Sequence, residues 1–230
     1  MTSQWIASQN NALIIVDVQN DFCPGGNLAV NDGDKIIPGI NDLRQHFSTV
    51  VLTQDFHPQG HSSFASSYDG RAPMETIMMP YGPQTLWPDH CVQGTRGAEF
   101  HSDLVRLDTD LILQKGTNKD IDSYSGFLEN DKKTQPRFAD GFTLTEKLKS
   151  RGVDSVTFVG LAGDFCVGWH ALDAVKAGFN SVAVWDLTHS IGIPLDDKGN
   201  TTETEMLTQL NDAGVIVTQS SQLQSVLRPK

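Results

Sequence analysis

The chain has 230 residues, is 38% hydrophobic and carries a formal net charge of −11. Such a length and apolar content suit one α/β domain over 1–230 with a substantial core, and no apolar run approaches the roughly 18 residues that span a bilayer. An acidic chain repels phosphate backbones and anionic lipid, so neither nucleic acid nor membrane is expected as a partner.

The first predicted element is a strand over 12–18 (ALIIVDV). A helix follows over 36–47, where Ile36, Ile40, Leu43 and Phe47 recur at helical spacing. A second strand covers 49–54 (TVVLTQ), and then 55–105 runs rich in His, Pro, Gly and Ser with little periodicity. A third strand over 110–114 (DLILQ) leads into a polar, charged stretch over 116–141. Loops this long inside a compact domain are usually functional or disordered. The first holds a metal-like cluster, and the second is read as a lid or insertion packed over the site. A helix over 143–150, with Gly152 as its C-cap, precedes a fourth strand over 155–161 (SVTFVGL). A helix over 164–177 ends at Gly178, and strand 181–185 (SVAVW), helix 203–211 and strand 215–218 (VIVT) follow. Several strand runs are nearly continuous in Val, Ile and Leu, the pattern of strands buried on both faces. The alternation predicts a three-layer, doubly wound α/β sheet of about six mostly parallel strands with helices on both faces.

In open α/β sheets ligands bind outside the carboxyl ends of the strands. Asp17 lies near the end of the first run, Asp55 and His57 follow the second, Lys115 follows the third, and Cys166 follows the fourth after a short turn. One rim therefore receives a carboxylate, a metal-like pair, an ammonium and a thiol. A helix N-terminus and the Lys115 cation both favour a thiolate at Cys166. Asp17 is placed to accept the thiol proton, and backbone N–H groups of the 162–166 turn are placed to hold an oxyanion. The plainer alternatives are a small buried cysteine and a structural Asp17–Lys115 ion pair.

His90 completes a set of one Asp and two His with Asp55 and His57, suited to Zn²⁺, Fe²⁺ or Mn²⁺. His61 is a further ligand or an outer group, and a His-rich loop without metal is the alternative. Cys23 and Cys91 read as bystanders. His170, four residues after Cys166, reads as a core histidine, with a Cys–His dyad as the alternative. Phe22, Trp87 and Tyr124 are candidates for an aromatic slot. Three cysteines do not make a disulfide framework. No Lys or Arg precedes Lys35 and no long apolar stretch opens the chain, so no secretory signal is read and a cytoplasmic setting is expected.

Together, ALIIVDVQNDFCPGGNLAV, TQDFHPQGHSSF, LWPDHCVQGTRGAEF, QKGTN, DSYSGF and GLAGDFCVGWHALDA resemble the nicotinamidase/pyrazinamidase branch of the isochorismatase-like cysteine hydrolase family. The likeness runs from about 11 to 186. It implies hydrolysis of nicotinamide to nicotinic acid and ammonia, as in NAD salvage, through a thioester, with pyrazinamide as a further substrate. It implies a catalytic Asp17, Lys115 and Cys166. It implies one divalent metal, zinc first and iron or manganese next, on Asp55, His57 and His90, orienting the pyridine ring. His61 maps to a histidine that ligates in some members only. The resemblance further implies an oxyanion hole from the Ala162 and Cys166 amides, a cis peptide just before Gly163, a ring pocket of Phe22, Leu28, Trp87 and Tyr124, and a monomer or homodimer. Gly163 departs from the residue often found there, and 129–139 resembles an insertion, which bears on lid geometry and substrate tolerance. Three other readings differ: an amidase for another small carboxamide, a non-catalytic metal-binding or redox-sensing module, and an isochorismatase proper, a type that lacks the nucleophilic cysteine.

Overall fold

The computed structural model describes residues 10–227. Its strands are β1 (Asn11–Val16), β2 (Thr49–Asp55), β3 (Thr76–Met79), β4 (Gly82–Thr85), β5 (Leu111–Lys115), β6 (Ser155–Leu161), β7 (Asn180–His189) and β8 (Ile216–Thr218). Six of them form one sheet in the order β5-β2-β1-β6-β7-β8. Every neighbouring pair in it is parallel. The helices are α1 (Ile37–Arg44), α2 (Leu144–Ser150), α3 (Gly168–Lys176), α4 (Thr202–Asp212) and α5 (Ser220–Val226).

The strand period separates two cores. Leu13 and Ile15 of β1 pack with Ile37, Ile40 and Leu43 of α1 and Leu223 of α5. Ala12, Ile14 and Val16 pack with Leu144 and Leu148 of α2, Ala171 and Leu172 of α3, and Met206 and Leu210 of α4. All of β1 is buried, as expected of a central strand covered on both faces. The chain lays β2 and β5 on one side of β1, then returns to lay β6 on the other. That reversal between β1 and β6 is where an open sheet leaves a crevice, and Asp17 and the turn carrying Cys166 leave the sheet there.

Several boundaries differ from the pattern-based reading. β1 stops at Val16 because Asp17 takes a left-handed conformation (φ 49) that turns the chain out of the sheet. The helix predicted over 164–177 divides into a wide π-type turn, Gly163–Val167, and α3. β7 runs on to His189, past its apolar run, with a register irregularity opposite Phe158–Gly160. The β3–β4 hairpin lies inside the long 55–105 stretch. Met78 there is 77% exposed, so no buried face imposes an apolar alternation. α5 has the polar sequence SSQLQSV and docks through Leu223, too little apolar signal to predict.

Candidate active site

Lys115 is fully buried, and four segments of the chain give its ammonium partners. Nζ lies 2.9 Å from Asp17 Oδ2, 2.9 Å from Asp55 Oδ1, 2.9 Å from the Ser123 carbonyl and 3.5 Å from Cys166 Sγ. Burial opposes its charge, but Asp17 and Asp55 hold its pKa well above the ordinary lysine value. Asp17 is also fully buried, and its Oδ1 accepts from Thr53 Oγ1 at 2.6 Å.

Cys166 faces this pair, but not as a thiolate. Burial pushes its thiol well above the ordinary cysteine value; Lys115 works the other way, and the Asp17 and Asp55 charges add to the rise. Burial, with the two carboxylates, outweighs the cation, so the resting nucleophile is a thiol beside its base. Ala162 and Cys166 both line the same pocket as the sulfur. The cis peptide joins Leu161 to Ala162, one bond earlier than expected. Gly163 has no room for a side chain: a Cβ would stand 2.5 Å from Ser190 Oγ.

Asp55, His57 and His90 offer donor atoms within 4.8 Å of one another. His57 Nδ1 donates to the Gly116 carbonyl at 2.9 Å, and His90 Nδ1 donates to the Pro88 carbonyl at 2.8 Å. Each ring therefore turns Nε2 to the centre, 3.1 and 3.4 Å from Asp55 Oδ2. Two imidazole lone pairs and a carboxylate oxygen converge, and backbone carbonyls orient the rings from behind. That arrangement fits a divalent metal. His61 is engaged otherwise. Its Nδ1 accepts from Ser63 N and pairs with Ser63 Oγ, while Nε2 donates to the Asn118 carbonyl at 2.8 Å. Burial pushes this imidazole down to about 4.

Phe22, Leu28, Trp87 and Tyr124 line one pocket, about 330 Å³ of empty space including its mouth, together with Asp55, His90, Ala162 and Cys166. The Trp87 and Phe165 rings meet edge to face at 4.8 Å, and Trp87 Nε1 donates to Tyr124 Oη at 3.1 Å. Asp122, Phe165 and Ile191 line the pocket as well and escaped sequence reasoning. Asp122 lies in the polar stretch without periodicity, and Ile191 follows the part of β7 that the apolar run does not cover. Two further residues hold the site. Gln19 clasps Asp55, donating to its carbonyl and accepting from its N–H, each at 2.8 Å. Asp164 accepts from Ile191 N and Gly192 N at 2.9 Å and from Thr202 Oγ1.

His170 is a satisfied core histidine. Nδ1 donates to the Cys166 carbonyl and Nε2 accepts from Gly126 N, both at 2.7 Å, which leaves nothing for a dyad with sulfur. The Cys91 sulfur turns to the Gly97 carbonyl at 3.9 Å. Cys23 is buried outside the pocket, and desolvation pushes its thiol up to about 11.

The chain is similar to several known proteins. The chain is 53% identical over 184 residues to a nicotinamidase of Acinetobacter baylyi, covering 80% of this chain and 83% of that one. The solved structure of an Acinetobacter baumanii nicotinamidase/pyrazinamidase superposes with a TM-score of 0.85 at 49% identity, covering 94% of this chain and 98% of that one. A pyrazinamidase of Pyrococcus horikoshii, solved in complex with zinc, superposes with a TM-score of 0.70 at 34% identity, covering 91% and 99%. The Isochorismatase domain matches residues 11–222, nearly the whole chain, and the protein belongs to that family.

Proposed function

We propose that the protein hydrolyses the carboxamide of nicotinamide to nicotinic acid and ammonia, and that of pyrazinamide by the same route. The observation that carries this reading is a single aromatic pocket lined both by Cys166 and by the metal-fitting residues Asp55 and His90. The pocket's aromatic wall of Phe22, Trp87, Tyr124 and Phe165 suits a flat ring, and Cys166 lines the same pocket. The nicotinamidase and pyrazinamidase relatives support the choice of amide.

Asp17 takes the thiol proton as Cys166 Sγ attacks the carboxamide carbon. The Ala162 and Cys166 amides hold the oxyanion. Lys115 keeps Asp17 ionised and steadies the thiolate as it forms. Asp17 then delivers the proton to the departing nitrogen, ammonia leaves, and a thioester remains on Cys166. A water gives a proton to Asp17 and attacks the thioester carbon, the C–S bond breaks, the carboxylic acid departs, and Asp17 returns the proton to sulfur to restore the thiol. Asp55, His57 and His90 would hold a divalent metal, zinc on the P. horikoshii precedent, which would supply Lewis acidity to orient the ring. His61 supports the ligand loop from behind. This reading treats 1–230 as one hydrolase domain, with 55–105 supplying metal ligands and 116–141 closing the pocket. Three free cysteines fit a reducing, cytoplasmic setting.

The test is ammonia release from nicotinamide by purified protein, before and after chelation, with Cys166→Ala alongside. Release that needs both the metal and Cys166 is expected. Substantial release by folded Cys166→Ala protein would reject the covalent route, and no release by metal-loaded wild type would reject the substrate.

A further inference from the structure

Asp122 is 2% exposed and stands in the pocket wall with Asp55, His90 and Tyr124. One of its oxygens lies within 4.8 Å of ligand-capable atoms of His57 and His61. Among the described residues, its side-chain hydrogen-bond partners are two neutral donors, Gln84 Nε2 at Oδ2 and Ser123 N at Oδ1, each at 2.8 Å. The buried ammonium nearby, Lys115, goes to Asp17 and Asp55 instead. A buried carboxylate without a counter-ion is costly, and each oxygen retains accepting capacity that these partners do not fill.

Gln84 is 1% exposed, on the otherwise solvent-facing strand β4. Its Oε1 accepts from Tyr81 Oη at 3.2 Å and Asn130 Nδ2 at 3.1 Å. Those two donors fix which way the amide faces, so Nε2 must point to Asp122. The β3–β4 hairpin thus aims a carboxylate at the cluster from outside the ligand set.

We propose that Asp122 is a positioning residue of the metal site: an outer carboxylate whose charge raises the affinity of the Asp55–His57–His90 set for a divalent cation, with Gln84 holding its orientation. The inference rests on the metal reading above and goes beyond it by naming what neutralises the site. It assigns the hairpin a role as the support for that charge.

The experiment measures Zn²⁺ affinity of the metal-free full-length protein by competition with a chromophoric chelator, with melting temperature alongside. Asp122→Asn sets an amide donor against the Gln84 donor, so a second variant, Asp122→Asn with Gln84→Glu, restores that hydrogen bond and moves the carboxylate outward. Both variants are expected to bind Zn²⁺ about ten- to a hundredfold more weakly, the second with the hydrogen bond between positions 84 and 122 restored. Wild-type affinity in either variant would overturn the proposal. A wild type that takes up no zinc, or takes it up equally after Asp55→Ala, would overturn the metal reading beneath it.

Discussion

Asp55 and Lys115 are cross-strand partners at the ends of β2 and β5, and Lys115 Nζ stands 2.9 Å from Asp55 Oδ1. The other oxygen of Asp55 faces His57 and His90. One carboxylate therefore belongs to both clusters, and sheet register fixes the distance between them. Burial opposes the Asp55 charge, but His57 and Lys115 hold its carboxyl well below the usual carboxylate range.

Lys115→Met tests this shared charge. It leaves Asp17 and Asp55 buried without their cation, which costs about 3–5 kcal/mol and ends ammonia release. Adding Asp55→Asn to it should recover part of the stability and none of the activity. Urea unfolding of the three proteins checks this; a Lys115→Met protein as stable as wild type would show that the pair is not held by charge.

Gly116→Ala strikes the metal set through the backbone. Gly116 has φ +64, and a Cβ there would stand 2.5 Å from His57 Cε1. His57 must move off the carbonyl that orients it. Elemental analysis after dialysis should find less bound metal than in wild type, with Cys166 still alkylatable. Full metal content would mean that the Gly116 carbonyl does not set the His57 ring.

Tyr124→Phe removes an acceptor that Trp87 Nε1 and Gln84 Nε2 share. The pocket wall loosens while the sulfur and its base stay in place. KM for nicotinamide should rise about tenfold, with kcat held within about threefold. Steady-state kinetics decide it, and a fall in kcat at constant KM would place Tyr124 in the chemical step instead.

His170 sets a pH dependence of stability. Burial pushes its imidazole from 6.5 down to about 4. Between those values the unfolded chain carries a proton that the folded chain refuses, so stability falls as pH drops through that window. His170→Gln should flatten this slope when urea unfolding is followed from about pH 7 to about pH 4.5. An unchanged slope would assign the acid sensitivity to other groups.

The sheet and the rim are legible in the strand pattern alone. Runs such as ALIIV and SVTFVGL bury on both faces whatever surrounds them, because only a covered central strand satisfies so continuous an apolar pattern. Strand ends then bring Asp17, Asp55, Lys115 and Cys166 to one edge. What depends on loops meeting one another emerges only from packing. Asp122, Phe165 and Ile191 reach the pocket from three segments whose local patterns carry no signal for it. Gln84 is buried by contact with 122–130, not by its own strand. The protonation of Cys166 also required the fold, since desolvation and the count of carboxylates around one ammonium are properties of packing. The tertiary structure likewise gave both His61 nitrogens to Ser63 and Asn118, because a hydrogen-bond partner 57 residues away has no signature in the local sequence.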